Sequence, residues 1–250
     1  MMSFPIVKYL SRFILRGIAL VACSVLVACS EQPNASHYFP LDKGITWVYK
    51  VTTSTPDESS ARRFVIENLG ETPIRGYENE PTYARLTSDG THYYLLQDDT
   101  GTYRVGTKNL IEYSPRVDEQ PIRVFLNMAD LEVGRSWSLQ TQTYAIRGAQ
   151  AVEGNHSGAF AFNMEFEVAG VGETVSTPIG DFENCIRIEG RGFTSLYADP
   201  STGYQDVNIS QTEWYAPGVG LIKLVRDEPL DLTFFKGGTI TFELADWYQK

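Results

Sequence analysis

Few side chains in this sequence have the types and spacing that catalysis requires. The chain contains three histidines, His37, His92 and His156, which are too far apart to predict a metal centre. It has no Gly-x-Ser-x-Gly, His-Glu-x-x-His or Cys-x-x-Cys motif. We therefore expect a protein that is not an enzyme and that holds neither a metal nor another cofactor.

Acidic residues are the remaining candidates for chemistry. The loops around Asp98 and Asp199 place carboxylates beside Ser, Thr and Gly, but neither has the spacing of a calcium loop. Turns capped by the aspartate side chain are the simpler interpretation. Paired carboxylates could also serve glycoside hydrolysis, and the chain has 31 acidic residues. An envelope hydrolase using such a pair is therefore the competing function.

The N-terminal segment has the pattern of a secretory signal. Three basic residues, Lys8, Arg12 and Arg16, precede an uncharged run over 17–30. A basic region followed by an apolar core and small residues indicates an export signal and not part of the fold. The apolar run is too short for a transmembrane helix, which needs about 20 residues.

The tetrapeptide Leu-Val-Ala-Cys occurs twice in this segment, ending at Cys23 and at Cys29. Small residues followed by Cys resemble the lipobox of bacterial lipoproteins. The resemblance implies a diacylglyceryl group on that Cys, cleavage before it, and acylation of the new N-terminus with a chain such as palmitate. Cleavage before Cys29 leaves an apolar core over 17–28, which fits the usual length, whereas cleavage before Cys23 leaves only 17–22. We therefore predict lipidation of Cys29, with Cys23 as the alternative.

The residues that follow indicate where the protein is held. In the lipoproteins that this segment resembles, Asp after the Cys usually retains the protein at the inner membrane, so Ser30 favours the outer membrane. We predict a signal peptide over 1–28, a lipidated Cys and tether over 29–37, and one domain over 38–250. The eight residues after Cys29 reach at most about 28 Å. This places the domain close to the bilayer, facing the periplasm, with display outside the cell as the alternative.

Composition limits the partners. Without the signal, 18 basic residues remain against 31 acidic ones, a formal charge of −13. Nucleic acid needs a basic face, so we expect no nucleic-acid partner. Once Cys29 is lipidated, Cys185 is the one remaining thiol, which excludes an internal disulfide. We expect Cys185 to be a small buried residue; a reactive thiol assisted by Arg187 is the alternative.

Residue alternation predicts β-structure throughout. In 160–168, apolar and polar residues alternate with a period of two, which is typical of a strand with one buried face. Asp89-Gly90 and Gly237-Gly238 each separate two such runs and predict hairpin turns. Val124–Leu131 is the one candidate for a short helix. The predicted fold is all-β: an antiparallel, strongly curved sheet, either a half-barrel or a sandwich.

The sequence also contains an internal repeat. Three short motifs recur in the same order: 41–47 in 131–137, 70–79 in 172–184, and 91–94 in 212–215. A repeat of this kind predicts two related halves, about 38–120 and 121–250, packed as one unit.

Three stretches, "YFPLDKGITWVY", "VSTPIGDFENCIRIEG" and "EWYAPGVGLIKLV", resemble a group of uncharacterised bacterial secreted proteins and lipoproteins. The resemblance implies a curved antiparallel sheet similar to the half-barrels of periplasmic lipoprotein carriers. It also implies structural roles for Cys185 and for the turn at 217–220.

Aromatic residues on the predicted strands are the candidate ligand-facing residues. In a half-barrel they would line the concave face and bind an apolar ligand, whereas in a sandwich they would form the core. A carrier needs a cavity that they do not fill, and a protein-binding scaffold needs an exposed apolar patch or an unpaired strand edge. The residues are Trp47, Tyr49, Phe162, Phe166 and Trp214. We expect binding of an envelope protein or an apolar ligand in envelope maintenance.

Overall fold

The computed structural model describes residues 38–146, 159–233 and 235–250 of the chain. These residues form antiparallel β-strands and one short 3-10 helix over Met128–Asp130. The strands are β1 (Ile45–Ser54), β2 (Ser59–Glu71), β3 (Thr82–Thr87), β4 (His92–Asp98), β5 (Gly101–Lys108), β6 (Arg116–Leu126), β7 (Ser136–Gln142), β8 (Ala161–Thr177), β9 (Gly180–Asp199), β10 (Gly203–Ala216), β11 (Gly220–Asp231) and β12 (Lys236–Gln249). The prediction of an all-β, antiparallel, strongly curved fold is confirmed.

All twelve strands belong to one sheet. Its order is β6-β5-β4-β3-β2-β1-β12-β11-β10-β9-β8-β7, so the first and last strands pair at its centre. Strands β1–β6 form one meander and β7–β12 form another. Consecutive strands in the chain are neighbours everywhere except between β6 and β7, which are the two edges. The sheet curls until these edges come close, and the sandwich alternative, which needs two sheets, does not apply.

The first repeated motif, 41–47 and 131–137, leads into the first strand of each meander, β1 and β7. Each copy contains a glycine in a left-handed conformation, Gly44 with φ 85° and Gly134 with φ 92°. Three residues later, Trp47 lies opposite Ile66 on β2 and Trp137 lies opposite Phe166 on β8. Only glycine adopts such a φ without strain, so both turns depend on it. The predicted boundary near residue 120 falls within β6.

Alternation along the strands builds the core. On β8, Phe162, Met164, Phe166 and Val168 are buried while the residues between them are exposed. The largest cluster combines these side chains with others from β6, β7, β9 and β10. A second cluster combines β1 with β11 and β12. A third and smaller cluster lies on β3, β4 and β5 of the first meander.

One predicted turn is displaced. Asp89-Gly90 does connect β3 to β4, but Gly237 and Gly238 lie inside β12. A Cβ atom on Gly237 would overlap the carbonyl oxygen of Glu228, and one on Gly238 would overlap that of Ser54. The two glycines therefore permit close approach of neighbouring backbones, which is the other reason for glycine in a strand.

Candidate functional site

The two aromatic residues nominated on β1 lie in the core. The indole N–H of Trp47 donates a hydrogen bond to the carbonyl oxygen of Val219 at 2.6 Å. The hydroxyl of Tyr49 donates to the carbonyl oxygen of Leu221 at 2.8 Å. Burial raises the pKa of Tyr49. Both polar groups are satisfied by backbone, so these side chains connect β1 to the start of β11.

The other three nominated residues lie on two strands of the second meander. Phe162 and Phe166 are buried on β8, and the ring of Phe166 stacks on Trp137 with centroids 5.5 Å apart. Trp214 on β10 is half-buried, and its indole N–H donates to the carboxylate of Glu173 at 3.3 Å. The structure therefore does not gather the five residues at one surface.

The cavity beside Trp47 and Tyr49 is small. Its volume is about 70 Å³, and its walls also include Phe39, Arg85 and Tyr215. A water molecule occupies about 30 Å³ of liquid volume, so about two waters fill this space. Small-molecule sites usually measure about 300–1,000 Å³. The inner aromatic residues thus leave no room here for an acyl chain.

Arg85 packs against this cavity. Its Nε donates to Asn68 Oδ1 at 2.9 Å and its Nη2 donates to the carbonyl oxygen of Pro40 at 3.0 Å. The guanidinium lies over the rings of Phe39 and Trp47, with distances of 4.5 and 4.9 Å to the ring centroids. Burial lowers the pKa of Arg85 to about 10. These contacts tie the segment before β1 to the inner face of β2 and β3.

An ion pair is buried in the second meander. Arg226 Nε donates to Glu228 Oε1 at 2.7 Å, and Arg226 also donates to the carbonyl oxygen of Gln142. The Glu228 carboxylate accepts hydrogen bonds from the backbone N–H groups of Tyr144, Ala145 and Ile146. The pair therefore holds the end of β7 and the residues after it against β11.

A second carboxylate, that of the half-buried Glu213, lies near this pair. It accepts a hydrogen bond from the Tyr215 hydroxyl at 2.7 Å and another from the Gln211 amide. Burial raises the pKa of Glu213. Gln211 also accepts from Arg226 and so bridges the two groups. Neither Glu213 nor Glu228 lines the small cavity or the cleft described below.

The two acidic loops are turns of the predicted kind. Asp98 accepts from the backbone N–H groups of Thr100 and Gly101. Asp199 accepts from those of Ser201 and Thr202, and hydrogen bonds from these hydroxyl side chains lower its pKa. Within the described residues, no three His, Cys, Asp or Glu side chains are grouped so as to hold a metal ion.

Cys185 is a buried thiol. It is fully inaccessible, and its Sγ lies 3.3 Å from the carbonyl oxygen of Phe182. Burial, together with the nearby carboxylate of Glu173, raises its pKa to about 11. Arg187, proposed as the alternative activator, binds Glu173 and Glu189 instead. The thiol is therefore protonated at neutral pH, which is unfavourable for nucleophilic chemistry.

A large cavity lies between the two edges of the sheet. It is a cleft of about 840 Å³ walled by β6 with its neighbour β5 and by β7 with its neighbour β8. No ladder joins β6 to β7 within the described part of the sheet. The residues that line it are Tyr103, Arg104, Asp118, Glu119, Gln120, Pro121, Ile122, Arg123, Ser136, Trp137, Ser138, Gln140 and Asn163.

The β7 wall presents free backbone groups. Arg135 accepts a hydrogen bond from the backbone N–H of Val168, and Thr143 donates one to the carbonyl of Phe160, so the odd-numbered residues bond to β8. Antiparallel strands alternate between bonded and non-bonded residues. Ser136, Ser138 and Gln140 therefore direct their N–H and C=O groups away from β8. The same three residues line the cleft.

The β6 wall is irregular and charged. Its pairing with β5 breaks between Val117 and Ile122, so residues 118–121 have no partner in the register. Pro121 in this stretch has no N–H to offer. Asp118 binds Arg104 at 2.9 Å, and Glu119 is exposed. Proline, charges and bulges are the features that protect an edge strand from pairing.

Trp137, a residue of the cleft wall, carries a buried donor. The residue is 7% exposed, and its indole Nε1 is buried and has no hydrogen-bond partner among residues 38–146, 159–233 and 235–250. Buried donors without a partner are uncommon in native proteins and call for an explanation.

A group of exposed apolar residues, the apolar tip, directly precedes the cleft-lining part of β6 in the sequence. Leu110, Ile111 and Tyr113, in the turn between β5 and β6, are 79%, 94% and 100% exposed. Val117, at the start of β6, is also exposed and connects this tip to the cleft-lining residues. Exposed apolar groups of this kind commonly mark interaction surfaces.

None of the five nominated aromatic residues lines the cleft. The sequence carried a signal for its edges in Pro121, since proline within a strand pattern indicates an edge strand. Trp137 was identified only as part of the repeat. Cys23 and Cys29 lie outside the described residues. Among those that are described, no helix has the length and apolar character needed to cross a bilayer.

Comparisons with known proteins add little. No family model matches the chain, and no curated protein matches it. A predicted lipoprotein from Parabacteroides distasonis ATCC 8503 aligns at 14% identity and a TM-score of 0.43, covering 85% of this chain and 98% of its own. The crystal structure of a predicted exported protein with a YmcC-like fold from Bacteroides fragilis NCTC 9343 aligns at 12% identity and a TM-score of 0.36. The alignment covers 85% of this chain and 99% of that one. Identities and TM-scores this low do not indicate what this chain binds.

Proposed function

We propose that this chain is an outer-membrane lipoprotein, facing the periplasm, that binds a protein partner and catalyses no reaction. The anchor and location rest on the signal pattern, on Cys29 and on Ser30. Several acyl chains on one Cys hold a protein at a membrane far more firmly than a single chain does.

The contrast between the two cavities carries the binding proposal. The inner cavity of about 70 Å³ is too small for an apolar ligand, whereas the cleft of about 840 Å³ lies between two unpaired strand edges. An unpaired edge offers backbone groups that recognise polypeptide. These features favour a protein-binding scaffold over a lipid carrier.

The cleft offers little support for hydrolysis. A hydrolase of this kind needs two carboxylates that converge on substrate. Two neighbouring residues of β6, Asp118 and Glu119, are the carboxylates that line the cleft, and both oxygens of Asp118 accept hydrogen bonds from Arg104. A carboxylate held in this way is a poor acid or nucleophile.

Site-specific photocrosslinking in intact cells tests the proposal. A benzophenone amino acid replaces Gln140 in the cleft, and in a control it replaces Ser210, which is exposed on β10 between two paired strands. We expect a discrete protein adduct from Gln140 and none from Ser210. Equal adducts from both positions, or none from any cleft position, would contradict the proposal.

Native mass spectrometry of the mature protein provides a second test. We expect the mass of the lipidated chain without additional ligand, because the cavity of about 70 Å³ beside Trp47 and Tyr49 is too small for one. A co-purifying mass of a few hundred daltons, released on denaturation, would indicate a carrier of apolar ligands instead.

A further inference from the structure

We infer that the partner binds by strand addition: an extended polypeptide segment pairs its backbone with the free edge of β7, inside the cleft. This inference rests on the proposed function and adds the mode of binding and the chemistry of the bound segment. Recognition of this kind takes its affinity from main-chain hydrogen bonds and its specificity from alternate side chains.

The edge of β7 is suited to pairing. Its N–H and C=O groups that pair with no described strand belong to Ser136, Ser138 and Gln140, none of which is charged, and the strand contains no proline. The strand has seven residues and is about 23 Å long. A segment of five to seven residues can therefore pair along it.

The edge of β6 is not suited to it. Residues 118–121 break the register with β5, and this stretch contains Glu119 and Pro121. Because β6 is protected and β7 is not, the added strand pairs with β7 and packs against β6 as a wall.

The neighbouring side chains define the segment. Residues of the added strand that face inward meet Trp137, which belongs to the core cluster, and Leu139, which is partly buried against it. Those that face outward meet Ser136, Ser138 and Gln140, which are exposed. The partner segment therefore alternates apolar and polar residues and has no proline at positions that donate to β7.

The unsatisfied indole N–H of Trp137 fits this arrangement. A strand paired with β7 supplies carbonyl oxygens to the free N–H groups of that edge and N–H groups to its free carbonyls. The indole N–H of Trp137 is a further donor that no described residue satisfies, and it belongs to a residue that lines the cleft. The exposed tip formed by Leu110, Ile111 and Tyr113 extends the surface beyond the paired segment.

A proline substitution tests the backbone contact directly. Ser138→Pro removes one N–H from the free edge and leaves the bonds to β8 intact, while Ser138→Ala keeps that N–H and serves as the control. With the benzophenone at Gln140, we expect the adduct to fall about tenfold in Ser138→Pro and to change little in Ser138→Ala. Thermal unfolding of both variants verifies the fold; if Ser138→Pro does not fold, Gln140→Pro with the benzophenone at Ser136 replaces it.

Amide hydrogen exchange on the purified adduct gives an independent readout. We expect slower exchange at Ser136, Ser138 and Gln140, and no change at Trp137 and Leu139, which already bond to β8. An undiminished adduct in a folded Ser138→Pro variant would overturn strand addition while leaving protein binding in place. Absence of any adduct from the cleft would overturn the proposed function as well.

Discussion

Arg226 Nε lies 2.7 Å from Glu228 Oε1, and the two side chains are 1% and 0% exposed. A buried pair of this kind does not stabilise a fold simply by its attraction, because removing both charges from water is costly. Here each partner has further bonds. Arg226 binds Gln211 and the Gln142 carbonyl, and Glu228 binds three consecutive backbone N–H groups. The pair is therefore a junction between β11 and the end of β7.

Arg226→Met should destabilise the protein strongly. The substitution leaves the Glu228 carboxylate buried without its cation, which typically costs about 3–5 kcal/mol. Chemical denaturation followed by circular dichroism measures the free energy of unfolding. Lys236→Met is the matched control, because Lys236 pairs with Asp231 at the exposed start of β12, and we expect little change there. A similar small loss in both variants would contradict this account of the buried pair.

Glu213→Gln should change the pH dependence of stability. Burial raises the pKa of Glu213 in the folded protein. Its contribution to stability is therefore full below the pKa of an unfolded glutamate, about 4.3, and is lost as the pH rises through the raised folded value. The variant stays neutral and avoids this loss.

Melting temperatures at pH 4 and pH 8 measure the effect. We expect the melting temperature of Glu213→Gln minus that of wild type to be higher at pH 8 than at pH 4. Glu165→Gln, at an exposed position on β8, provides the control. A difference between Glu213→Gln and wild type that is the same at both pH values would show that Glu213 does not carry the effect.

Cys185 should be inert in the folded protein. Its thiol is inaccessible, and its pKa is raised to about 11, so little thiolate forms at pH 8. We expect no reaction with a disulfide reagent at pH 8 until denaturant is added. Ser210→Cys, which places a thiol on the exposed face of β10, should react at once in the native state. Rapid labelling of Cys185 in the folded chain would support the reactive alternative.

Local patterns predicted much of the sheet but not its edges. Alternation over 160–168 predicted β8, and Asp89-Gly90 predicted a turn, because both depend on residues adjacent in the chain. The prediction of a turn at Gly237-Gly238 was wrong. These glycines allow the backbones of Glu228 and Ser54 to come close, and such contacts between distant residues leave no signal in the local sequence. The cleft exists because β1 pairs with β12, which leaves β6 and β7 as edges. Which strands become edges depends on pairing between the first and last strands of the sheet, so the composition of β7 alone could not show that it is an edge.

Cys29→Ser should prevent processing of the precursor. Without the acceptor thiol the lipid is not attached, and the signal peptide is not removed at that position. We expect a precursor of full length by intact mass and no incorporation of a labelled fatty acid, whereas Cys23→Ser should be processed as wild type. The reverse pattern would show that the first Leu-Val-Ala-Cys sequence is the lipidation site.

Trp137→Phe should separate the packing of the indole from its N–H group. The ring stacks on Phe166 in the core, so Trp137→Ala should cost about 3–5 kcal/mol of unfolding free energy. The N–H has no partner among the described residues, so Trp137→Phe removes a buried donor that they do not compensate and keeps an aromatic ring; we expect a loss of no more than about 1.5 kcal/mol. Denaturant titration of both variants measures these values. Equal losses would mean that the indole N–H is satisfied within the folded chain, and the donor would then have no role in the cleft.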